Sequence, residues 1–366
     1  MSDERAPLTR LQEWLEEKGA GGAYLTDPIS IAYLTGFRAE PLERLMALCL
    51  RGGAIDLIVP AIEAEAAEAA AAEGVRVRGW RDGQDPYRLV AAALEPSPSP
   101  LAVEKDHLTL AGFGRLDATV ETGRLIDTGP TLRRLRARKT AREIALLERA
   151  ARITDDATGL LLAALREGIT EIEAATALTE AFAAAGAEHS FPSLCQFGPN
   201  SALPHHRPSR RPLAAGELAL FDFGASWQGY CADTTRVAVA GAPDERQREV
   251  HRVVLEAHDA ALAEVRAGRT AGEIDEAARA VIRAAGYGDA FIHRVGHGLG
   301  LQDHEVPSLD PGSDLVLEEG MVLTIEPGIY LPGWGGVRIE DDVVVERGRG
   351  RALTAFPRHL AEVPTA

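Results

Sequence analysis

Residues 217–240 read ELALFDFGASWQGYCADTTRVAVA. Two apolar, β-prone runs flank a polar, glycine-containing middle, the pattern of a β-hairpin. Asp222 and Asp233 each interrupt an otherwise apolar run. With the turn centred between Trp227 and Gln228, the two aspartates stand directly opposed on one sheet face. Their Cβ atoms are then about 4.5–5.5 Å apart. Carboxylates that close repel, and burial raises their pKa values. The stretch GMVLTIEPGIYLPGWGGVRIEDDVVVE, 320–346, repeats the arrangement. A turn centred on Gly333 opposes Glu326 to Glu340, and Arg338 shares a face with Glu340 by the two-residue period of a strand. One acid in a strand reads as an edge residue or half of a salt bridge. Two opposed pairs among Val, Leu and Ile are most simply made tolerable by a multivalent cation. A bulge in either strand would alter the register.

The stretch HRVGHGLGLQDHE, 293–305, supplies a different donor. A lone histidine is ordinarily a core or surface residue. Here His293, His297 and His304 crowd one segment, and Gly296 and Gly298 flank His297. Glycine lets a backbone pass close to a crowded site and allows unusual dihedrals. Four carboxylates and one imidazole form an oxygen-rich donor set, suited to Mn, Co, Fe or Zn rather than to a thiolate site. A two-metal centre has its ions about 3.5–4 Å apart, bridged by carboxylates.

The rest of the chain bounds the setting. Its 366 residues fit two domains, and 46% hydrophobic with 26% charged residues is ordinary for a globular protein. A net charge of −16 disfavours nucleic acid and anionic membrane as partners, because both would be repelled. Cys49, Cys195 and Cys231 form no CxxC pair and read as buried, reduced thiols. The N-terminus MSDERAPLTRLQEWLEEKG lacks an apolar signal core, and no apolar run approaches the roughly 20 residues needed to span a bilayer. The expectation is a cytoplasmic protein.

Strand and helix patterns alternate over residues 1–130, which predicts an α/β domain; a linker-like EPSPSP falls within it. An amphipathic helix is expected from Leu8 to Lys18. Residues 131–366 form the second domain, opening on one long helical stretch, TLRRLRARKTAREIALLERAARITDDATGLLLAAL. Its six basic residues from Arg133 to Arg142 read as a solvated helix face. EGITEIEAA (167–175) and AGRTAGEIDEAA (267–278) share Gly, Thr, Glu and Ile, a faint echo of a domain built twice. Chance likeness between two capped helix starts is the alternative.

Taken together, DFG at 222, ADTTR at 232, HRVGHGLG at 293, IEPGIY at 325 and RIED at 338 resemble the pita-bread-fold metallopeptidase family. GPNSALPHH, 198–206, matches that family's stretch before the first aspartate. Methionine aminopeptidase, aminopeptidase P and Xaa-Pro dipeptidase (prolidase) are members. The resemblance covers roughly residues 140–360, and the N-terminal part fits the prolidase and aminopeptidase P branch. It implies an α/β N-terminal domain of the creatinase/prolidase type followed by an α+β pita-bread catalytic domain.

The resemblance implies metal ligands Asp222, Asp233, His297, Glu326 and Glu340. Asp233 and Glu340 would bridge two divalent ions, Mn first and Co, Zn or Fe as options. Asp222 would complete one site, His297 and Glu326 the other. The intact set argues against the metal-free creatinase branch. Glu326 would carry a proton to the leaving nitrogen, and His205, His293 and His304 would hold substrate and stabilise the oxyanion. Arg338 would orient Glu340 or a neighbour and is also counted among the substrate-side groups.

Many relatives carry an arginine after HExP, whereas this chain has Ser308 in HEVPS. Arg38 and Arg44 are the candidate replacements, because in this family that N-terminal region often approaches a partner's site. A homodimer is implied. The expected reaction is cleavage before proline in short peptides, as a dipeptidase or, as the alternative, an aminopeptidase P. A creatinase-like hydrolase or a non-catalytic binding module on the same scaffold are further options.

Overall fold

The computed structural model describes residues 6–365; the first five residues of the N-terminal stretch and Ala366 lie outside the described residues. The chain divides into two compact units between Arg136 and Ala137.

The N-terminal unit begins with α1 (Pro7–Glu17), whose Leu8, Leu11 and Leu15 are buried and which Gly19 follows with φ +62°. Then come β1 (Gly22–Leu25), α2 (Pro28–Thr35), β2 (Ala47–Arg51), β3 (Ala54–Pro60), α3 (Ala64–Ala70) and β4 (Val75–Trp80). They continue with α4 (Tyr87–Leu94), β5 (Leu101–Val103), α5 (Leu110–Val120), β6 (Leu125–Asp127) and α6 (Gly129–Ala137). The sheet runs β4-β3-β2-β1-β5-β6 and is mixed: β1 pairs antiparallel with β2, while β5 and β6 continue parallel. Val, Leu and Ile strands packed under helices make this an α/β layer.

The expected single helix from 131 is two. Arg138 to Thr140 are extended between α6 and α7 (Ala141–Ala164). The break is chemical. Thr140 accepts from the Glu143 N–H and the Glu143 carboxylate accepts from the Thr140 N–H, a reciprocal cap that starts a new helix. The basic run does not face solvent as one stripe: Arg136 lies 3.6 Å from Asp27, Arg138 3.3 Å from Glu318, and buried Lys139 3.3 Å from Glu305.

The second unit continues with α8 (Glu171–Ala184), β7 (Glu188–His189), β8 (Leu194–Phe197), β9 (Leu218–Phe223), β10 (Ala225–Trp227), β11 (Tyr230–Cys231) and β12 (Thr234–Ala240). After α9 (Glu245–Glu264) and α10 (Ala271–Ala284) come β13 (His297–Gly298), β14 (Glu305–Ser308), β15 (Val322–Ile325), β16 (Gly328–Leu331), β17 (Gly335–Arg338) and β18 (Asp341–Val345). Last are β19 (Gly350–Ala352) and β20 (Ala361–Val363). Two principal sheets result, β20-β12-β9-β8 and β14-β13-β15-β18-β19, each backed by a helix pair.

The echo at 167–175 and 267–278 is structural. α8 and α10 are both 14 residues long, capped by Thr170 and Thr270 with Glu173 and Glu273 in capping boxes. Their first turns meet the chain alike: the Glu171 and Ile172 amides donate to Arg211 and Ser209, and those of Ala271 and Gly272 to Leu315 and Ser313. LAAGELALFDFG and LEEGMVLTIEPG then occupy matching strands, which makes Asp222 the counterpart of Glu326.

Among the described residues no helix is long and apolar enough to cross a membrane. The three cysteines are free and buried.

Glu104 couples the stability of the N-terminal unit to pH. Buried Glu104 accepts from the Ser30 hydroxyl and, at 3.2 Å, from the Asp27 amide. Burial, with Asp27's charge adding, pushes its carboxyl from 4.5 up to about 7 despite the Ser30 bond. The folded state therefore binds this proton more tightly than the unfolded chain, so this contribution is complete at low pH and is lost as pH rises towards about 7. Comparing denaturant unfolding of the parent and Glu104→Gln at pH 5 and pH 8 should show the parent losing more stability over that interval.

Candidate metal centre

The first hairpin differs from its expected register by one residue at the turn. Asp222 lies opposite Thr235, and Trp227 opposite Tyr230. Gln228 and Gly229 form the two-residue turn, at φ +48° and +81°, dihedrals that suit the twist of the flanking strands. The turn is therefore centred between Gln228 and Gly229, and Asp222 and Asp233 are not directly opposed. Moving the centre by one residue moves each partner by two, and side chains repeat every two. Asp233 thus stays on the face of Asp222, diagonally across from it. Gly224 allows the tight corner beside Asp233: a Cβ there would stand 1.7 Å from the Ala232 carbonyl oxygen.

The second hairpin has the expected register. The ladder β15–β18 and the ladder β16–β17 share one centre at Gly333. Glu326 and Glu340, between those ladders, fall opposite each other. The hairpins are locked together at Thr235, whose hydroxyl donates to Glu340 Oε2 and accepts from Arg338 Nε at 2.9 Å. The Glu340 amide donates to the Thr235 carbonyl at 3.3 Å.

β13 brings His297 to this junction. The Glu326 amide bonds the Val295 carbonyl at 2.8 Å, and the His297 amide bonds Thr324 Oγ1 at 3.1 Å. The flanking glycines are required by this close approach. A Cβ at Gly296 would be 2.0 Å from the Thr324 oxygen, and one at Gly298 2.3 Å from that of Val306. Neither takes a positive φ, so unusual dihedrals are not the reason. His297 Nδ1 donates to the Gly298 carbonyl at 3.1 Å, leaving the Nε2 lone pair towards Glu326 Oε1 at 3.3 Å and Asp233 Oδ2 at 3.9 Å. Burial lowers its pKa to about 3, so the imidazole is neutral and able to ligate.

Asp233, His297 and Glu340 each offer a donor atom within 4.8 Å of the others, and all three are buried. Asp233 Oδ1 is buried without a hydrogen-bond partner. Burial first, then the charge of Glu340, drives Asp233 far above the ordinary carboxylate range; burial and Glu326 do the same to Glu340. Glu326 is raised to about 7, chiefly by burial, with Arg338 opposing. The donor chemistry, the orphaned oxygen and the mutual repulsion fit a divalent cation. Two charges ~4 Å apart cost about 4 kcal/mol even at an effective dielectric of 20.

A cavity of 1090 Å³ opens over the cluster. His205 and His304 line it with exposed side chains, and His304 stacks on His297 with ring centroids 3.9 Å apart. His293 also lines it, but both of its ring nitrogens are engaged. Nδ1 donates to the Arg294 carbonyl at 2.7 Å, and Nε2 accepts from the Tyr330 hydroxyl at 2.9 Å. Burial holds this imidazole neutral, at about 4. In this arrangement His293 braces the Tyr330 hydroxyl from the cavity wall.

Three arginines line the cavity. Arg338 is buried and bonds Asp222, Thr235 and, at 2.8 Å, the Tyr330 hydroxyl. That fits orienting the acids rather than holding substrate. Arg279 is chelated by Asp275 at 2.8 and 2.9 Å. Arg294 has no ion pair among the described residues; its guanidinium donates to Ser308 Oγ at 2.8 Å. Arg38 and Arg44 belong to the N-terminal unit, where Arg44 is held bidentately by Asp82 at 3.2 and 3.1 Å. Arg44 is thus not a free cation. Arg294, Tyr330 and Thr235 were missed as site residues although each lies in a quoted motif; a strand pattern does not say which neighbour of a ligand turns into the same cavity.

A model described as metallopeptidase family M24 matches residues 145–347, and one described as Creatinase/Prolidase N-terminal domain matches residues 7–138. The chain belongs to metallopeptidase family M24. A protein of Lactobacillus helveticus named Xaa-Pro dipeptidase is 39% identical over 98% of this chain and 99% of its own. Among solved structures, an Xaa-Pro dipeptidase from Bacillus anthracis superposes with TM-score 0.91 at 34% identity, covering 97% of this chain and 99% of that one. An X-Pro aminopeptidase from Thermotoga maritima gives 0.87 at 32%, covering 94% and 98%. Membership in M24 makes the chain a peptidase and implies divalent metal.

Because burial and mutual repulsion raise these carboxyls, a divalent cation competes with protons for them. Apparent Mn²⁺ affinity should rise with pH up to and beyond about 7. Calorimetric titrations in buffers of different ionisation enthalpy should show net proton release. Asp233→Asn should weaken Mn²⁺ binding at least ~10-fold while leaving the metal-free melting temperature equal or higher.

Proposed function

We propose that the protein is a dinuclear-metal Xaa-Pro dipeptidase, hydrolysing the bond before proline in two-residue peptides. The observation that carries the dipeptide reading is Arg294, a cation on the cavity wall bonded to a neutral hydroxyl and to no carboxylate. A dipeptide places its own carboxylate one residue from the cleaved bond. A guanidinium takes it bidentately, with a strength a surface ion pair lacks. Ser308, standing where many relatives carry arginine, orients Arg294 for that task.

Asp222, Asp233, His297, Glu326 and Glu340 would hold two divalent ions, Mn first. Metal bound there supplies Lewis acidity and a water acidic enough to ionise near neutral pH. The remaining work belongs to the chain. Glu326, at the edge of the site, would take the proton and return it to the leaving nitrogen. His205 and His304 would steady the substrate and the developing oxyanion. Arg338 and Tyr330 keep the acids in register, and His293 braces Tyr330. Phe191, Phe291 and Ile292 give the wall an apolar face for a prolyl ring.

Aminopeptidase P activity is the second reading, favoured by the likeness to the Thermotoga structure of that name and by the serine at 308. We further propose a cytoplasmic homodimer. Leu42, exposed to 78%, is an apolar side chain that a second copy would cover; light scattering tests the dimer.

The deciding measurement compares an Xaa-Pro dipeptide with an Xaa-Pro-Yaa tripeptide, each with Mn²⁺ and with a chelator. The dipeptide should be preferred and the chelator should abolish turnover; preference for the tripeptide selects aminopeptidase P. Arg294→Ala should raise KM for the dipeptide by roughly 10–100-fold, the worth of a charged hydrogen-bonded contact, with a smaller effect on an amidated C-terminus.

A further inference from the structure

We infer that Glu171 and Gln196, neither of which lines the cavity, are positioning residues that fix His205 in it. The inference rests on the reading of His205 as a substrate-facing group.

Glu171 is the first residue of α8, and its side chain is fully buried. The helix start does not need that charge, because Thr170 and Glu173 already complete its capping box. Among the described residues, the carboxylate's partners come instead from residues 197–209. Oε1 accepts from the Phe197 amide at 2.8 Å and from Asn200 Nδ2 at 2.9 Å. Oε2 accepts from the Ser209 amide at 2.9 Å and hydroxyl at 2.6 Å, with His206 Nε2 at 3.3 Å. A carboxylate offers about four lone-pair sites, so this one is saturated.

Gln196 ends the grip from the other side. It is buried on β8, and its side-chain Nε2 lies 3.1, 3.2 and 3.0 Å from the carbonyls of Leu203, Pro204 and His206. Those peptides bracket His205. An irregular segment with its backbone turned inward thus meets a charged acceptor and an amide donor, the two groups that hold both kinds of peptide atom.

The second half of the repeat is built to the same plan. On α10, Asp275 accepts from the Val295 amide at 3.0 Å. Arg279, paired with it, donates to the Phe291 and His293 carbonyls at 3.0 and 2.8 Å. That anchor holds the segment leading to His297, a metal-side group. The two anchors should therefore fail differently, which separates positioning from general loss of structure.

In the Mn²⁺-loaded protein, Glu171→Gln should lower kcat on an Xaa-Pro dipeptide roughly 10- to 100-fold, the cost of misplacing a group by about 1 Å. Mn²⁺ binding should be unchanged, and amide hydrogen exchange over 198–208 should be faster. Adding Glu171→Gln to His205→Ala should cost nothing further. Asp275→Asn should instead weaken Mn²⁺ binding. Full activity of Glu171→Gln, penalties that multiply in the double variant, or unchanged exchange would overturn the inference. If Glu171→Gln does not fold, Ser209→Ala removes one donor and reads the same quantities with a smaller effect. If the parent hydrolyses no Xaa-Pro peptide, the functional reading fails, and the exchange comparison alone decides the anchor.

Discussion

Buried like charge is the constraint around which the catalytic unit is arranged. Two hairpins press Asp222, Asp233, Glu326 and Glu340 together on side chains that water barely reaches. Arg338 offsets part of the repulsion and couples Asp222 to Thr235 and Tyr330. Arg236 does the mechanical half: it donates to the Glu340 carbonyl, to the Asp341 carboxylate and, at 2.8 Å, to the Phe356 carbonyl, tying the first hairpin to the second and to the segment beyond it. One arginine cannot neutralise four carboxylates. The remainder is held as bound protons or by metal, and that choice makes the site responsive to pH and to ion supply.

The consecutive acids at 340–342 show how far environment outweighs residue type. Glu340 faces the cluster and is pushed up. Asp341 points the other way; burial raises it, but Arg236, His258 and Arg358 outweigh that and hold it below the usual range. Asp342 returns to the first face, accepts the Asp233 amide at 3.0 Å and is again pushed up by burial. The alternation is that of a strand, with one face serving chemistry and the other structure.

The internal repeat explains the architecture of the site. Each half contributes a helix pair, a sheet and a hairpin, and Asp222 in β9 aligns with Glu326 directly after β15. The halves then diverge. His297 is a candidate ligand in one; Gln196, on the corresponding strand of the other, turns away to hold peptide carbonyls. A symmetric frame carrying an asymmetric donor set leaves one side free to present substrate-side groups such as His205.

Much of this was legible in the chain. Alternating apolar strands, glycine turns and misplaced acids located both hairpins, and the motifs they carry identified the family and its five candidate ligands. The Asp222–Asp233 face survived a misplaced turn because strand periodicity forgives a shift of two. Local patterns could not reveal that Thr140 breaks a helix, that His293 has both nitrogens engaged, that Arg294 is the uncommitted cation, or that Glu171 and Gln196 grip the His205 segment. A residue's type and spacing are local and fix which face it occupies. Its partners lie tens to more than a hundred residues away, and only folding brings donor, acceptor and charge close enough to decide whether a buried group is free for chemistry.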